Sequence, residues 1–500
     1  MGIAMSQSIS AAAVRQPYYV RQGLRQRLLH LGCGAFHRAH QALYADELAC
    51  SHGSDWGYCE VSLSDANGAV AALKQQDLLY SVSVMDESGW HCRVVGVICR
   101  ALSLPDDGLM AILEALAHPD LVVVTLTITE KGYCHLPSSG QLQQDHPAIV
   151  HDVAYPWQPQ SAAGLLLAGL RLRRQRGLPA FTVLSCDNMP ANGGIIRQVL
   201  LQLARLQDDD LADWVAQHDV ACPSSMVDCI VPMVSGESRA QIRALLGGVD
   251  DPVGVVCEPF RQWVIEDDFP QGRPAWERVG VQLVADVRPF EEMKLRMLNG
   301  SHSFLAYLGY LAGYGYISDC MQNADLLRLT QHLMVQEQAA TLTYCPQPPQ
   351  DYAASVLQRF RNPALQHRTW QIAMDGTQKL PQRMLEPIRI HLARGSRFDC
   401  LALGLAAWMC YVCGIDEQGQ AIDVRDPLAV EIAALLAKRG AGMSPVQALL
   451  QLEQIFGADL PRNVQFVAVL SLHFQQLQQH GAQACIARLC AELDSAGFGN

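Results

Sequence analysis

The stretch Leu28-Leu-His-Leu-Gly32-Cys-Gly34-Ala-Phe-His-Arg38-Ala-His40 decides the fold of this chain. A short apolar run ends at two glycines and passes into helix-forming residues. This order of strand, glycine turn and helix is typical of a doubly wound sheet, where glycines let the backbone approach a pyrophosphate beside a helix start. The usual third glycine is absent, so an ordinary glycine turn remains the alternative.

Apolar strand-like runs recur downstream at residues 58–63, 121–129 and 181–185, separated by amphipathic segments. This alternation predicts a mainly parallel, wound sheet. Strand-like runs disappear from about residue 286. We therefore predict an α/β chain with a Rossmann-like, NAD-binding N-terminal domain, residues 1–285, followed by a mostly α-helical substrate and catalytic domain, residues 286–500.

Helical patterns dominate the second half, as at residues 427–439 and 446–456. The apolar run 401–415 is too short to span a bilayer and predicts a buried helix. Its Cys410-Tyr-Val-Cys413 motif lacks the second ligand pair that a zinc site needs. The first twenty or so residues are predicted to form a loosely held tail.

Polar residues follow two of the predicted strands. Asp65 lies about thirty residues beyond Gly34, where an acid can accept hydrogen bonds from an adenosine ribose and favour NAD over NADP. The alternative is that Asp65 caps the next helix. Asn188 follows the run 181–185, and because ligands collect beyond the carboxyl ends of parallel strands, we expect it to contact a ligand.

The segment Lys294-Leu-Arg-Met-Leu-Asn299-Gly-Ser-His302 spaces an amine, an amide and an imidazole along one predicted helix. At about 100° per residue, Lys294, Glu291, His302 and Asn299 lie at about 0°, 60°, 80° and 140° and can face one cleft. Such a group can hold a carbinol and move its proton. The alternative is a solvated lysine with a core histidine.

The composition narrows the function classes. A formal net charge of −12 argues against binding nucleic acid. The 17 cysteines show no disulfide spacing and no secretory signal precedes them, which together predict a cytoplasmic protein without membrane association. His37 and His40 lack a third ligand nearby, so we predict no metal and interpret them as helix-start residues near a phosphate.

Five motifs resemble the polyol-specific long-chain dehydrogenases and reductases, the mannitol dehydrogenase family, and its hexuronate-reducing branch in particular. The resemblance spans nearly the whole chain. The motifs begin at His30, Thr127, Cys257, Lys294 and Thr369 and read HLGCGAFHRAHQ, TITEKGY, CEPFRQWVIE, KLRMLNGSHSFL and TWQIAMDGTQK.

The resemblance implies a metal-independent NAD(H) enzyme that reduces D-fructuronate to D-mannonate. Mannitol 2-dehydrogenase activity, reduction of tagaturonate or another hexuronate, and a nucleotide-binding protein without catalysis are the alternatives. The expected partner is a small sugar acid or polyol, and the resemblance favours a monomer or weak oligomer.

The resemblance also implies residue roles. Lys294 is the general acid/base, the amides of Asn188 and Asn299 with the imidazole of His302 bind the reacting oxygen, and Glu291 relays the proton, although Glu292 stands beside it. The candidate cofactor residues are Gly32, Gly34, Ala35, Phe36, Arg38, Asp65 and Thr127.

The candidate substrate residues are Asp228, Lys379, Arg368 and Arg383. A hexuronate carboxylate needs a local cation, and of the three cations Lys379 lies inside a matched motif, whereas Arg368 and Arg383 are favoured as solvated helix charges. Two positions depart from the family, Cys229 and Gln371, which stand where arginines are expected.

Overall fold

The computed structural model describes residues 14–66, 68–86, 88–136, 139–217, 220–365, 367–440 and 442–495. It separates into two compact units, with the boundary between Arg288 and Pro289. Each unit has its own hydrophobic core.

The first unit is built on a five-stranded parallel sheet. Its strands are β1 (Arg25–Leu31), β2 (Trp56–Ser62), β5 (Ile98–Ser103), β6 (Val123–Leu126) and β7 (Thr182–Ser185). The order is β5-β2-β1-β6-β7, with parallel neighbours throughout. The order reverses between β1 and β6, the position where doubly wound sheets bind ligands. The predicted Rossmann-like α/β fold is confirmed.

Six further strands form two smaller sheets, which the alternation of the sequence did not predict. The strands are β3 (Tyr80–Asp86), β4 (Gly89–Val95), β8 (Ser225–Asp228), β9 (Val255–Cys257), β10 (Gln262–Glu266) and β11 (Gln282–Val284). The pairs β3–β4 and β8–β10 are antiparallel, because β3 and β4 form a hairpin and β8 and β10 run in opposite directions.

The helices of the first unit lie between these strands. They are α1 (Ala35–Ala39), α2 (Gln41–His52), α3 (Ala69–Gln75), α4 (Leu104–Leu116), α5 (Pro147–Ala154), α6 (Ala162–Gln175), α7 (Asn192–Gln207), α8 (Asp209–Gln217) and α9 (Gly236–Leu245). Short 3₁₀ turns cover Arg21–Gly23, Glu130–Tyr133 and Trp276–Val279.

The second unit is helical, and its described residues contain only isolated β-bridges. Its helices, counted from one that begins at the boundary, are α10 (Arg288–Met293), α11 (Ser301–Leu311), α12 (Ile317–Cys320), α13 (Ala324–His332), α14 (Pro349–Arg361), α15 (Thr369–Ala373), α16 (Gly376–Leu380), α17 (Glu386–Arg394), α18 (Asp399–Val412), α19 (Ala429–Lys438), α20 (Pro445–Leu449), α21 (Glu453–Phe456) and α22 (Val464–Ser495). Short 3₁₀ turns cover Ala339–Thr341, Pro363–Leu365 and Leu460–Arg462.

Three turns of π-helix, in which hydrogen bonds join residues five apart, interrupt the α-helical pattern of this unit. They are π1 (Lys294–Gly300), π2 (Leu333–Gln338) and π3 (Pro381–Leu385). π1 connects α10 directly to α11, and π3 connects α16 to α17.

Several predicted helices need correction at their ends. The pattern at 446–456 is two helices, α20 and α21, because the amides of Gln451 and Leu452 bond back to Ala448 and Leu449 in a tight turn. The apolar run 401–415 is α18, buried along nearly its whole length as predicted. No helix among the described residues is both long and apolar enough to cross a bilayer.

Much of the predicted N-terminal tail, residues 1–13, lies outside the described residues. The part that is described is held in place, contrary to the prediction. Arg15 forms a bridge with Arg93, and the hydroxyl of Tyr19 donates to Asp46 Oδ1 at 2.6 Å. These contacts fix residues 15–19 on the first unit.

Candidate active site

At the glycine turn after β1, the ends of three strands approach one another closely. Gly32 has φ of 108°, and a Cβ there would lie 2.2 Å from the carbonyl oxygen of Thr127. The amide of Gly32 donates to Val61 O at 2.9 Å, and Thr127 Oγ1 donates to Gly32 O at 3.2 Å. Only glycine has both the backbone freedom and the clearance that this position needs.

Gly34 is the open side of the same turn. It is exposed, and a Cβ there would meet only Gly32 O, at 3.7 Å. Ala35 and Phe36 are half-buried beside it. Arg38 is buried instead, and its guanidinium donates to Cys33 O at 2.7 Å. Arg38 therefore stabilises the turn from its buried side.

A buried cluster of His30, His37 and Glu60 lies behind the glycine turn. All three are 0% exposed. The two imidazoles stack with centroids 3.5 Å apart, and His37 Nε2 lies 2.7 Å from Glu60 Oε1. The prediction that His37 lies near a phosphate is wrong, because α1 turns this side chain inward before the chain kinks at His40, where φ is −124° and ψ is −86°.

Burial decides the protonation of this cluster. It lowers the pKa of both imidazoles well below the ordinary value and raises the pKa of Glu60 to about 7. His30 Nε2 lies 2.9 Å from Gly32 O, which can only accept, so the proton belongs on Nε2 and Nδ1 accepts from Thr125 Oγ1 at 2.8 Å.

Two groups among the described residues bring three metal-type donors within reach of one another: His30, His37 and Glu60, and His332, Glu337 and Cys400. In the first, both nitrogens of His30 already have partners. In the second, the carboxylate of Glu337 accepts the amides of Cys400 and Leu401, each at 2.8 Å. His30 and Glu337 therefore already take part in hydrogen bonds of the protein, and the absence of a metal stays a prediction.

Asp65 follows β2 in a left-handed conformation, with φ of 41°. Its carboxylate accepts the amides of Val70 at 3.0 Å and Ala71 at 3.4 Å, in the first turn of α3. Asp65 therefore caps α3, as the alternative to a ribose contact predicted. A ribose contact by Asp65 stays a prediction.

Asn188 is exposed in the turn after β7, and its neighbour Asp187 holds that turn. The carboxylate of Asp187 accepts the hydroxyl of Tyr133 at 2.6 Å and the amides of Ile128 and Thr129, each at 2.9 Å. Burial raises the pKa of Asp187. The loops after β6 and β7 are thereby tied together at the edge where the sheet is expected to bind a ligand.

Asp228 ends β8 and is buried. The next residue, Cys229, is half-buried, and the neighbouring thiol of Cys257, together with desolvation of the sulfur, holds its pKa well above the ordinary value. A thiol pair thus occupies the position where the family arginine was expected.

Lys294 and Asn299 lie on π1 and are 8% and 7% exposed. The angle of about 140° predicted for this pair assumed an α-helix and is wrong. A π turn bonds residues five apart, and these two are five apart. The amine and the amide therefore stand about one turn from each other along the helix.

His302, at the start of α11, stacks on Phe360 with centroids 4.4 Å apart and lies 5.5 Å from the ring of His367. Its Nε2 is buried and has no hydrogen-bond partner among the described residues. Its pKa is well below the ordinary value because of burial first, and then because of the nearby His367 and the cations Arg383, Arg359 and Lys379. The imidazole is neutral at neutral pH and can accept or donate one hydrogen bond.

The three candidate cations differ in their surroundings. Lys379 Nζ donates to the carbonyls of Ile372 at 3.2 Å and Met374 at 2.5 Å, and burial lowers its pKa to about 8. Arg368 is exposed, with its guanidinium 5.3 Å from the ring of Tyr316, as expected of a solvated charge.

Arg383 is half-buried and is not the solvated charge that the sequence favoured. Its Nη1 donates to Asn299 O at 3.3 Å and to Ser303 Oγ at 3.1 Å. Glu291 is half-buried on α10. Its proton-relay role stays a prediction.

Sequence reasoning missed Arg359, Phe360 and His367 near His302, and Gln338 near π1. Their neighbours lie more than 35 residues away in the chain, so no local spacing pairs them. The sequence contains no signal for Arg359 or Gln338, because Gln338 shares its turn with Gln336 and Glu337 and the burial of Arg359 is visible only in the structure.

A parallel sheet with an open glycine turn, and a helical unit that buries a lysine, an amide and a neutral imidazole, are together the parts of an oxidoreductase. Family models agree. Residues 26–278 match the mannitol dehydrogenase Rossmann domain, and residues 286–478 match the mannitol dehydrogenase C-terminal domain. The chain belongs to the mannitol dehydrogenase family.

Relatives match along their full length. The chain is 50% identical to the D-mannonate oxidoreductase of Escherichia coli over 95% of this chain and 98% of that protein. It is 52% identical to the uncharacterized oxidoreductase YdfI of the same organism, over 97% and 99% of the two chains. The solved mannitol 2-dehydrogenase of Pseudomonas fluorescens, a ternary complex with NAD and D-mannitol, superposes with a TM-score of 0.86 at 38% identity, covering 97% of this chain and 98% of that one.

Proposed function

We propose that the protein is an NAD(H)-dependent reductase of D-fructuronate that forms D-mannonate. The 50% identity to a D-mannonate oxidoreductase is the observation that carries this proposal, and the cations Lys379 and Arg383 of the helical unit, which act on His302, support an anionic sugar. The sequence identity to YdfI is slightly higher, but the name of that oxidoreductase gives no substrate. The substrate is therefore proposed from sequence identity and charge together.

The glycine turn fits a dinucleotide. Gly34 leaves the backbone of Gly34, Ala35 and Phe36 approachable, and Gly32 and Thr127 fix the turn at the switch point of the sheet. These residues are proposed to hold the pyrophosphate, and Asp65 the ribose. When bound, NADH supplies a hydride to the keto carbon.

The side chains of π1 and α11 supply the proton chemistry. As the keto group is reduced, negative charge develops on its oxygen, and the amides of Asn299 and Asn188 are proposed to stabilise it. The ammonium of Lys294 donates the proton that completes the alcohol. His302, being neutral, is suited to a hydrogen bond with the same oxygen or an adjacent hydroxyl.

The substrate class follows from charge. Arg359 is 7% exposed, and together with Arg383 and Lys379 it makes the surroundings of His302 positive. Guanidinium and ammonium groups bind carboxylates through charge-assisted hydrogen bonds, so we propose a sugar acid as the substrate class.

Substrate comparison tests the proposal. The purified protein is given NADH with D-fructuronate, D-tagaturonate and D-fructose in parallel, with a chelator present, and kcat/KM is compared. We expect D-fructuronate to exceed the other two by at least tenfold. A preference for D-fructose or D-tagaturonate, or no turnover of any of them, would refute the assignment.

We also propose that the protein acts in the cytoplasm. All 17 cysteines are free thiols, as expected in a reducing compartment. A monomer or weak oligomer is proposed for its state in solution.

A further inference from the structure

The three π turns of the helical unit meet at one glycine. A Cβ on Gly300, the last residue of π1, would lie 2.6 Å from Gln338 Nε2 of π2 and 3.1 Å from the carbonyl oxygen of Arg383 in π3. Only a residue without a side chain lets these groups approach. The junction of π1, π2 and π3 is thus as close-packed as the glycine turn of the other unit.

Gln338 links the turns at this junction. It is 0% exposed, and its Nε2 donates to Arg383 O at 2.9 Å. The guanidinium of Arg383 in turn donates to Asn299 O and Ser303 Oγ. Two hydrogen bonds, joined through the side chain of Arg383, therefore connect π2 through π3 to the backbone of Asn299.

The junction matters because a π turn is rare and lies close in geometry to an α-helix. If π1 relaxed to α-helical geometry, Lys294 and Asn299 would separate by about 140° around the axis. The link through Gln338 and Arg383 ends on the peptide of Asn299, inside π1. Because this contact depends on the wider geometry of the π turn, it stabilises π1 in that geometry.

We infer that Gln338 is a positioning residue, which holds Lys294 and Asn299 in the register that protonates and stabilises the reduced oxygen. This inference rests on the proposed function. Gln338 acts only through Arg383 and Gly300 and touches no substrate.

The test compares Gln338→Leu, which keeps the volume and removes the amide, with Gln336→Leu. Gln336 belongs to the same π turn but is exposed. For Gln338→Leu we expect kcat to fall about 10- to 100-fold, since a displacement near 1 Å can cost about that much. KM and the NADH dissociation constant should change less than threefold, and the pH at which kcat is half-maximal should shift. Gln336→Leu should match the wild type.

Hydrogen exchange provides a readout that needs no substrate. Amides of residues 294–300 should exchange at least tenfold faster in Gln338→Leu than in Gln336→Leu. Gln338→Met serves in the same assays if the leucine variant fails to fold. Unchanged kcat and pH profile, even with a lower Tm, would overturn the inference by showing a merely structural role.

Failure of the proposed function gives a different result. A wild-type protein that turns over none of the three substrates refutes the function, whereas equal exchange of residues 294–300 in Gln338→Leu and wild type refutes the positioning role.

Discussion

The two units differ in the kind of group that carries the role proposed for each. In the first unit the ligand-facing surface is mostly backbone, a glycine turn and strand ends, and the polar side chains behind it, such as Arg38 and Glu60, are buried and face inward. In the second unit the proposed reactive groups are side chains, those of Lys294, Asn299 and His302, which lie on or directly after a π turn.

This difference predicts which kind of substitution damages each unit most. A backbone site is damaged by added volume or by a changed conformation, and the loss is expected in NADH affinity and folding. A side-chain site is damaged by removal of one functional group, and the loss is expected in turnover.

The largest expected effect is that of Lys294→Ala. Loss of a general acid costs about 10²- to 10⁴-fold in rate, so we expect kcat to fall about 1000-fold while the NADH dissociation constant stays within twofold. Steady-state kinetics and fluorescence titration measure the two. Lys438→Ala, at an exposed position of the same unit, is the control and should behave as wild type. An equal loss of NADH affinity and kcat would break the comparison.

Gly32→Ala should produce the opposite pattern. With φ of 108° and Thr127 O 2.2 Å from the new Cβ, we expect destabilisation by about 2 kcal/mol or more and an NADH affinity about 100-fold lower. Gly53→Ala has a positive φ of 65° but no atom within 4 Å of the new Cβ, so it isolates the backbone strain. We expect it to cost about 1 kcal/mol and to leave NADH binding unchanged in calorimetry.

The fold class could be predicted because it depends on local patterns. Apolar runs that alternate with amphipathic segments define the parallel sheet, and Gly32 was recognisable from the run before it. The hairpin of β3 and β4 was missed because alternation alone does not report strand direction.

The site was harder to predict for two physical reasons. The π turn at Lys294 has the composition of an α-helix, and only its contacts with Gln338 and Arg383 distinguish it, so the assumed 100° step misplaced Asn299. The inward direction of His37 depends on the kink at His40, which no periodicity reveals. The positive surroundings of His302 arise from α14 and π3, both distant in sequence.

A smaller effect is predicted for the charge of Lys379. Its pKa of about 8 means that the cation is present below about pH 8 and is lost as the pH rises above it. The KM for the anionic hexuronate should therefore rise about fivefold from pH 7 to pH 9, an effect of about 1 kcal/mol for a partly screened charge. The inhibition constant of a neutral competitive polyol should stay constant. In Lys379→Met the ratio of the KM for the hexuronate to the inhibition constant of the polyol should no longer depend on pH. If that pH dependence persists, a group other than Lys379 carries the charge effect.

For Glu60→Gln we expect the smallest effect on turnover, because its effect is one of stability alone. The pKa of Glu60 is raised from 4.5 to about 7, so the folded chain keeps a proton that the unfolded chain loses between those values. Stability therefore falls as the pH rises from about 4.5 to about 7, and the loss persists above that.

Glu60→Gln removes this titration, because an amide has no proton to lose in that range. We expect the variant to gain roughly 1 to 3 kcal/mol over wild type at pH 8 and little at pH 4.5, measured by denaturant unfolding at both values. Its kcat should be unchanged, since Glu60 is sealed behind the glycine turn at 0% exposure. A lower kcat at equal stability would mean that a buried side chain of the first unit takes part in turnover, and the division between a backbone site and a side-chain site would then fail.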